Sequence, residues 1–251
     1  MSALGGMTWT EVRAGRLLLV PLGSCEQHGP HLPFDTDTRI AVALASSVAE
    51  RLPEALVSPP IGIGASGEHQ SFPGTLSIGS TALVDVLVEL ARSALPPLGS
   101  DLPQPFYGMV IVNGHGGNVE ATATAAALLA DEGRPVLVWH PQVAGGDSHA
   151  GHTETSVLLY LDPEAVRLDR IEAGSTVRWR DVRDVVVRDG LAAVSPNGVL
   201  GDPRGASAEE GERIVTALVE DLSNAVRSWR ANLTVSGVEV DPSASGVGAQ
   251  R

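Results

Sequence analysis

The stretch from residue 23 to 37 constrains the fold more than any other part of the chain. Glycines and prolines interrupt it, so neither a helix nor a strand can continue through it. Residues 16–21, which are apolar after Arg16, predict a short buried strand before it, and the periodicity of residues 38–51 predicts a helix after it. A polar loop between a buried strand and a helix is typical of α/β folds, which place functional groups at the carboxyl ends of strands.

The alternation of strands and helices continues along the chain. Further strands are expected at 55–63, 106–112 and 135–140, and further helices at 8–15, 81–95, 119–132, 154–161 and 207–229. Between 178 and 194, charged and β-branched residues alternate unevenly, which predicts a hairpin or edge strands. The sequence therefore predicts an α/β fold with a largely parallel sheet and helices on both faces, in one domain over 1–230. Residues 231–251 are expected to form a flexible tail.

Composition excludes several classes of function. The formal net charge of −13 argues against a nucleic-acid partner or an anionic membrane surface. No apolar run approaches the roughly 20 residues of a membrane span, and the first residues lack the features of a signal peptide. The chain contains no lysine, so a lysine Schiff base is excluded within it. The single cysteine, Cys25, fits a reducing, cytoplasmic location.

All seven histidines fall at or just after predicted strand ends. They are His28, His31, His69, His115, His140, His149 and His152. Because the carboxyl ends of parallel strands share one edge of a sheet, we expect these loops to converge. Clustered imidazoles and carboxylates are the ligand set for Zn, Mn or Fe(II), so the loops predict a metal site.

Spacing selects candidates within these loops. Glu26 and His28 are two residues apart on an extended segment and therefore point the same way. Glycines on both sides of His115 allow the backbone to approach a ligand closely. Glu154 could simply complement a helix dipole, but its position after His149 and His152 favours metal ligation.

Helix capping is the alternative role for the two aspartates of the first loop. Capping is the favoured interpretation for Asp35, and ligation is favoured for Asp37. Cys25 is rejected as a nucleophile because no properly oriented base is evident. The G-x-G-x-x-G pattern at 62–67 is rejected as a dinucleotide site because Phe-Pro-Gly follows at 72–74 where a helix should begin.

Three motifs in order resemble the signature of the creatininase-type amidohydrolases. They are Glu-Gln-His-Gly-Pro-His-Leu-Pro at 26–33 followed by Asp37, Asn-Gly-His-Gly-Gly-Asn at 113–118, and His-Ala-Gly at 149–151 with Glu-Thr-Ser at 154–156. The similarity covers about residues 16 to 230. It implies a three-layer α/β/α sandwich with a mostly parallel central sheet, and a closed homo-oligomer.

The resemblance also implies two divalent metal ions per subunit, bridged by Asp37. Glu26 and His115 would complete the coordination of one ion, and His28 and Glu154 that of the other. Two bridged cations lower the pKa of a shared water toward neutrality and generate hydroxide that attacks a C–N bond. The implied reaction is therefore metal-dependent hydrolysis of an amide or peptide bond.

The remaining polar residues receive supporting roles. His149 matches a family histidine that passes a proton to the leaving nitrogen. His31, Glu68, His69 and His152 are expected to bind substrate or to orient the ligands, and His31 to orient a ligand carboxylate.

One departure from the family pattern narrows the range of possible substrates. Creatininase carries a glutamate at the position of Gly117, so its absence argues against ring opening of creatinine. Gly-Ala-Ser-Gly-Glu-His-Gln at 64–70 and Gly-Val-Leu-Gly-Asp-Pro at 198–203 resemble the creatininase-like peptidases of mycofactocin biosynthesis. That group releases a C-terminal Val-Tyr dipeptide from a modified precursor peptide. Two alternatives stay open: hydrolysis of a small cyclic amide or formamide, and a non-catalytic, metal-stabilised binding subunit.

Overall fold

The computed structural model describes residues 3–97 and 101–235. The strands in these ranges are β1 (Arg16–Leu22), β2 (Ala55–Val57), β3 (Phe106–Asn113) and β4 (Val136–Trp139). The α-helices are α1 (Thr36–Arg51), α2 (Gly79–Ala94), α3 (Val119–Asp131), α4 (His152–Leu161), α5 (Trp179–Asp189) and α6 (Ala208–Val235). Short 3₁₀ turns occur at Leu4–Gly6, Trp9–Glu11, Gly67–His69, Gly116–Asn118, Pro163–Ala165, Leu168–Arg170, Leu191–Ala193 and Pro203–Gly205.

The four strands form one parallel sheet in the order β2-β1-β3-β4. Parallel strands covered on both faces have continuous apolar sequences, and β1 reads Arg-Leu-Leu-Leu-Val-Pro-Leu with every residue after the arginine buried. Its register with β3 pairs Leu18 with Met109 and Val20 with Ile111. The predicted parallel sheet is confirmed.

The sheet separates two apolar layers, because successive side chains of β1 point to opposite faces. Leu17 and Leu19 pack in a core with apolar residues of α1, α4 and α6. Leu18 and Val20 pack in a second core with residues of α2 and α3. Helices therefore cover both faces of the sheet, which confirms the expected three-layer α/β/α sandwich.

Two predicted elements are shorter than expected. The strand predicted at 55–63 ends at Val57 because Pro59 and Pro60 have no amide hydrogen to donate to a ladder. Ile61 then rejoins the sheet at a single parallel bridge to Leu22. The helix predicted at 8–15 is only the 3₁₀ turn Trp9–Glu11.

The prediction of strands between 178 and 194 is wrong, since α5 and the turn Leu191–Ala193 occupy this range. Val182 and Val186, four residues apart, lie on one side of α5 and are buried in a small separate core with Leu191 and Leu200. The other side carries charged residues facing water. Two buried valines stabilise the helix through this contact, although the local pattern of β-branched residues indicates strand.

The last helix also differs in extent. Ser207 Oγ accepts a hydrogen bond from the Glu210 amide at 3.2 Å, as expected of the residue that caps α6. The helix runs to Val235, beyond the boundary predicted at 230, so residues 231–235 are helical rather than part of a tail. The rest of the predicted tail, 236–251, lies outside the described residues, and the domain division stays a prediction. No helix in 3–97 or 101–235 is long and apolar enough to cross a membrane.

Candidate metal centre

The loops that follow β1, β3 and β4 meet at one edge of the sheet. Asn118 joins two of them and a third segment: its Nδ2 donates to the Gly23 carbonyl at 2.9 Å, and its Oδ1 accepts from the Ala65 amide at 2.8 Å. The same Nδ2 lies 3.0 Å from Asn113 Oδ1. These bonds hold the histidine-bearing loops together at the carboxyl ends of the strands, where the sequence placed them.

Asp37 lies at the centre of the cluster, in the first turn of α1. Its Oδ1 is 3.2 Å from His28 Nε2, and its Oδ2 is 3.2 Å from His115 Nδ1. Ser24 Oγ donates to Oδ2 at 2.6 Å. Asp35 stands at the N-cap position without capping, because it pairs with Arg39 at 2.7 Å, so the capping role predicted for it is wrong.

Glu26 is fully buried beside Asp37. Its Oε2 is 3.0 Å from His115 Nε2, and its Oε1 is 3.4 Å from His69 Nε2. Neither carboxylate oxygen has a hydrogen-bond partner of good geometry in the described chain, and the Ser66 side chain gives only the smallest of the contributions to its pKa. A buried carboxylate without a donor is costly, and coordination of a cation removes that cost. This observation is the strongest structural fit to a metal ion.

Glu154 approaches the cluster from the first turn of α4. Its Oε2 lies 3.9 Å from His28 Nε2 and accepts a hydrogen bond from the Ala150 amide at 2.6 Å. Ala150 has a positive φ of 51°, which is uncommon for a residue with a side chain. This strained backbone aims its N–H at Glu154 and holds the carboxylate towards the site.

Three overlapping sets of donors lie close enough together to hold a metal ion, each with ligand atoms within 4.8 Å of one another. They are Glu26, Asp37 and His115; His28, Asp37 and Glu154; and Glu26, His28 and His149. The first two sets share Asp37 and group the residues as the sequence resemblance implied. The third includes His149, for which the sequence suggested only proton transfer.

The imidazoles are oriented by backbone carbonyls. His28 Nδ1 donates to the Glu26 carbonyl at 3.1 Å, which leaves Nε2 facing Asp37 and Glu154. His115 Nε2 donates to the Ala65 carbonyl at 3.0 Å, which leaves Nδ1 facing Asp37. A carbonyl bonded to the second ring nitrogen is the usual support of a metal-binding histidine.

Negative charge dominates the electrostatics of the cluster. Burial opposes charge on His28 and His115, but Asp37 beside the first and Glu26 beside the second outweigh it and raise the pKa of each imidazole to about 10. Burial raises the pKa of both Glu26 and Glu154 to about 7. For Asp37, His28 and His115 outweigh burial and hold its pKa well below its usual range. A site that stabilises positive charge this strongly suits a divalent cation.

His149 is buried at the edge of this cluster. Its Nε2 donates to the Gln27 carbonyl at 2.9 Å, and its Nδ1 lies 3.6 Å from Glu26 Oε1. Burial, reinforced by the neighbouring His28, holds the pKa of His149 well below its usual range. The ring is therefore neutral, with the lone pair on Nδ1.

Glu68 and His69 lie on the turn Gly67–His69 beside the cluster. Glu68 Oε1 is 3.9 Å from both His69 Nε2 and His115 Nε2. Gln27 Nε2 donates to His69 Nδ1 at 3.0 Å, and burial lowers the pKa of His69 to about 3. Both side chains line the open side of the site, where the sequence predicted contacts with substrate.

The cluster opens into a cleft of about 1320 Å³. Asp37, His115, His149 and Glu154 line its floor, and residues of α2 and α3 contribute to its sides. Helix α5, which was not predicted from the sequence, contributes Trp179, Arg183 and Val187 to the lining of the cleft.

Comparison with known proteins identifies the family. A sequence model of the Creatininase family, described as creatinine amidohydrolase, matches residues 5–226. The chain belongs to the creatininase family. The mycofactocin precursor peptide peptidase of Mycobacterium ulcerans is 50% identical over 220 residues, which cover 84% of this chain and 85% of that protein. The creatinine amidohydrolase of Pseudomonas putida is 30% identical in an alignment of 262 positions, gaps included, that covers 89% of this chain and 95% of that protein.

Solved creatininase structures have the same fold. A creatininase variant described as Zn-Zn type superimposes with a TM-score of 0.74 at 28% identity and covers 90% of this chain and 97% of its own. A structure described as creatininase Mn gives a TM-score of 0.73 at 28% identity, with 90% and 98% covered. The chain is therefore a hydrolase of C–N bonds with a creatininase fold.

Gly117, where the sequence departs from creatininase, lies against the cluster. A Cβ atom there would come within 2.4 Å of both the Ala65 carbonyl oxygen and His115 Nε2, and within 2.5 Å of Glu68 Oε1. No side chain fits at this position without moving a group of the site. Glu68 holds its carboxylate in this space instead.

The other predicted histidines lie further from the cluster. His31 is buried, and its Nε2 bonds to Thr155 Oγ1 at 2.9 Å, next to Glu154 in sequence rather than to a ligand carboxylate. His152 begins α4, where its backbone amide is capped by Asp147. His140 Nδ1 bonds to Asn113 at 2.9 Å. None of these three histidines is among the described residues that line the cleft.

Sequence reasoning missed several residues that orient the cluster. Gln27 contacts both His69 and His149, Ser24 donates to Asp37, and Asn113 and Asn118 support His115 and its loop. The sequence offered one clue to these residues, namely their position: each lies within three residues of a predicted ligand. An amide or hydroxyl beside a ligand has no distinctive spacing of its own, and only its partner reveals its role.

Proposed function

We propose that the chain is a metal-dependent peptidase that releases the C-terminal Val-Tyr dipeptide from the modified mycofactocin precursor peptide. The observation that carries this proposal is 50% identity to a mycofactocin precursor peptide peptidase over 85% of that protein's length. The arrangement of buried carboxylates and imidazoles supports the chemistry.

Two divalent metal ions, Zn, Fe(II) or Mn, belong to this proposal. Glu26, Asp37 and His115 would hold one ion, and His28, Asp37 and Glu154 the other, because these are two of the donor sets that lie close enough together to hold a metal ion. When bound, such cations polarise a carbonyl and lower the pKa of water. The donor-free carboxylate of Glu26 fits this role best.

His149 moves the proton in the proposed reaction. The Gln27 carbonyl fixes its Nε2–H, so Nδ1 is the atom that accepts a proton from the attacking water. Nδ1 then donates this proton to the nitrogen of the breaking peptide bond, and the dipeptide leaves with a neutral amine. The low pKa of the buried His149 keeps the imidazole neutral before the reaction and makes it a strong acid once it has accepted the proton.

The cleft favours a peptide over a small substrate. Pockets for small molecules measure about 300–1,000 Å³, and the cleft is larger, at about 1320 Å³. A small cyclic amide or formamide would leave most of it unfilled. A non-catalytic binding subunit is set aside because the chain belongs to a family of hydrolases. Glu68 and His69 are the proposed contacts to the peptide near the scissile bond.

Location and assembly complete the proposal. We place the enzyme in the cytoplasm, consistent with its single cysteine, which is free. We expect a homo-oligomer, as the family resemblance implies. The precursor peptide is the proposed partner, and the acidic chain is not expected to bind nucleic acid.

The test is incubation of the metal-loaded protein with the modified precursor peptide and, separately, with creatinine. We expect mass spectrometry to detect Val-Tyr and the shortened peptide, and no creatine. Protein treated with a chelator should be inactive until metal is restored. Creatine formation without dipeptide release would favour the small-substrate alternative.

A further inference from the structure

One side of α5 presents an unusual stripe to the cleft. Trp179, Arg183 and Val187 are spaced four residues apart, so they lie in line along the helix. All three line the cleft, and they are 41%, 64% and 67% exposed, respectively. The stripe therefore consists of one cation between two exposed apolar side chains.

Arg183 is only loosely paired within the described parts of the chain. Its nearest carboxylate, Asp184, is 3.6 Å away, beyond hydrogen-bonding distance, and is itself 93% exposed. Other arginines at the ends of the same helix are paired closely: Arg178 is 2.9 Å from Asp181, and the Arg188–Asp189 pair is 2.6 Å long. The Arg183 guanidinium is therefore available to an anion in the cleft.

The charge of the cleft makes this cation decisive. Glu68, Glu120 and Glu154 line the cleft along with Asp37, and no lysine exists in the chain. Arg183 is the only arginine among the described residues lining the cleft. With the carboxylates at the floor occupied by the proposed metal ions, Arg183 is the cationic side chain that the side of the cleft offers to a peptide carboxylate.

We infer that Arg183 binds the terminal carboxylate of the peptide substrate, while Trp179 and Val187 pack against the apolar side chains of its last two residues. This inference rests on the proposed peptidase function. A guanidinium binds a carboxylate through two parallel hydrogen bonds, and flanking apolar groups select an apolar or aromatic C-terminus.

The position of α5 relative to the reacting groups is fixed. Val186 packs with Leu200, and Leu200 exchanges backbone hydrogen bonds with His149 at 2.8 and 3.3 Å. An extended dipeptide spans at most about 7 Å, so its carboxylate and its amine must both bind within this one cleft.

The test compares the precursor peptide with a free C-terminal carboxylate and the same peptide with a C-terminal amide, in the metal-loaded enzyme. The wild type should cleave the acid with a KM about tenfold lower than the amide, the value of one charge-assisted pair. Arg183→Gln should raise the KM for the acid to that of the amide, with kcat and the KM for the amide unchanged. Arg183→Lys should keep part of the wild-type difference in KM between the acid and the amide.

Arg180→Gln is the matched control, since Arg180 is on the same helix, is 69% exposed and is not among the residues lining the cleft. It should leave both KM values unchanged. Equal cleavage of acid and amide by the wild type would overturn the inference and leave the peptidase function standing. Loss of activity on both peptides in Arg183→Gln would indicate a structural role instead. If the wild type cleaves neither peptide, the proposed function fails and the inference fails with it.

Discussion

The loop at 23–37 and helix α5 contribute to the same cleft in opposite ways. Most of the loop is buried, and Glu26, His28 and Asp37 lie 3–4 Å from one another or from side chains of other loops. Helix α5 is largely exposed and is attached through a small core of Val182, Val186, Leu191 and Leu200. The first region can hold reacting groups rigidly, whereas we propose that the second contacts the parts of a substrate that do not react.

This difference has a physical reason. Catalysis requires groups fixed within fractions of an ångström, and the edge of a buried parallel sheet supplies that rigidity. Substrate selection needs only a correctly charged and shaped surface within reach.

The largest effect is expected at the floor. His115→Ala removes one proposed ligand, the imidazole that contacts both Glu26 and Asp37. We expect peptidase activity to fall by roughly a thousandfold or more, since a metal supplies several kcal/mol of transition-state stabilisation. Elemental analysis should show less than two metal ions per chain, and circular dichroism an intact fold. Full activity with a full metal complement would show that the ligand assignment is wrong.

The next largest effect is expected at His149, where the experiment distinguishes a role in proton transfer from a role as a metal ligand. His149→Gln should lower kcat by about 100- to 1,000-fold, the usual contribution of a general acid–base group. Metal content should be unchanged. The loss should shrink for a p-nitroanilide substrate, because its electron-poor leaving nitrogen depends less on protonation in the transition state. If metal content falls instead, His149 is a ligand, as the third donor set allows.

A pair of neighbouring glycines tests the packing of the floor. Gly117→Ala places a methyl group within 2.4 Å of His115 Nε2 and the Ala65 carbonyl, so we expect a loss of about 1–3 kcal/mol in unfolding free energy. Metal affinity should also fall. At Gly116 a Cβ atom meets nothing within 4 Å, so Gly116→Ala should change stability by no more than about 0.5 kcal/mol. Denaturant unfolding and metal titration measure both, and equal effects at the two positions would contradict this packing.

The smallest effect is expected on α5, where two valines should behave in opposite ways. Val187 is 67% exposed in the cleft, and Val187→Ala should raise the KM for the peptide about two- to fivefold at constant stability. Val182 is 7% exposed in the small core, and Val182→Ala should lower the unfolding free energy by roughly 1.5 kcal/mol, the value of two buried methyl groups. An unchanged KM in Val187→Ala would show that this side chain does not contact the substrate.

Much of the floor could be predicted from sequence because its signals are local. Glu26, His28 and Asp37 lie within twelve residues, and glycines mark the close approach around His115. The four apolar strands were also recognisable, since buried parallel strands are nearly continuous in apolar residues. Asp35 was misread because the preference of aspartate for N-caps is statistical, and Arg39 offered it a stronger partner.

The sequence by itself determined the α/β class, the strand ends at which the chemistry lies and the residue types that can hold a metal. Only the tertiary structure decided that residues 179–189 are helical, since two valines gain their burial from Leu191 and Leu200. It also decided that Gln27 meets His149 across 122 residues and that Arg183 enters the cleft. Periodicity records which side of a segment is apolar, but not which distant segment that side will meet, and in this protein those distant contacts shape the cleft.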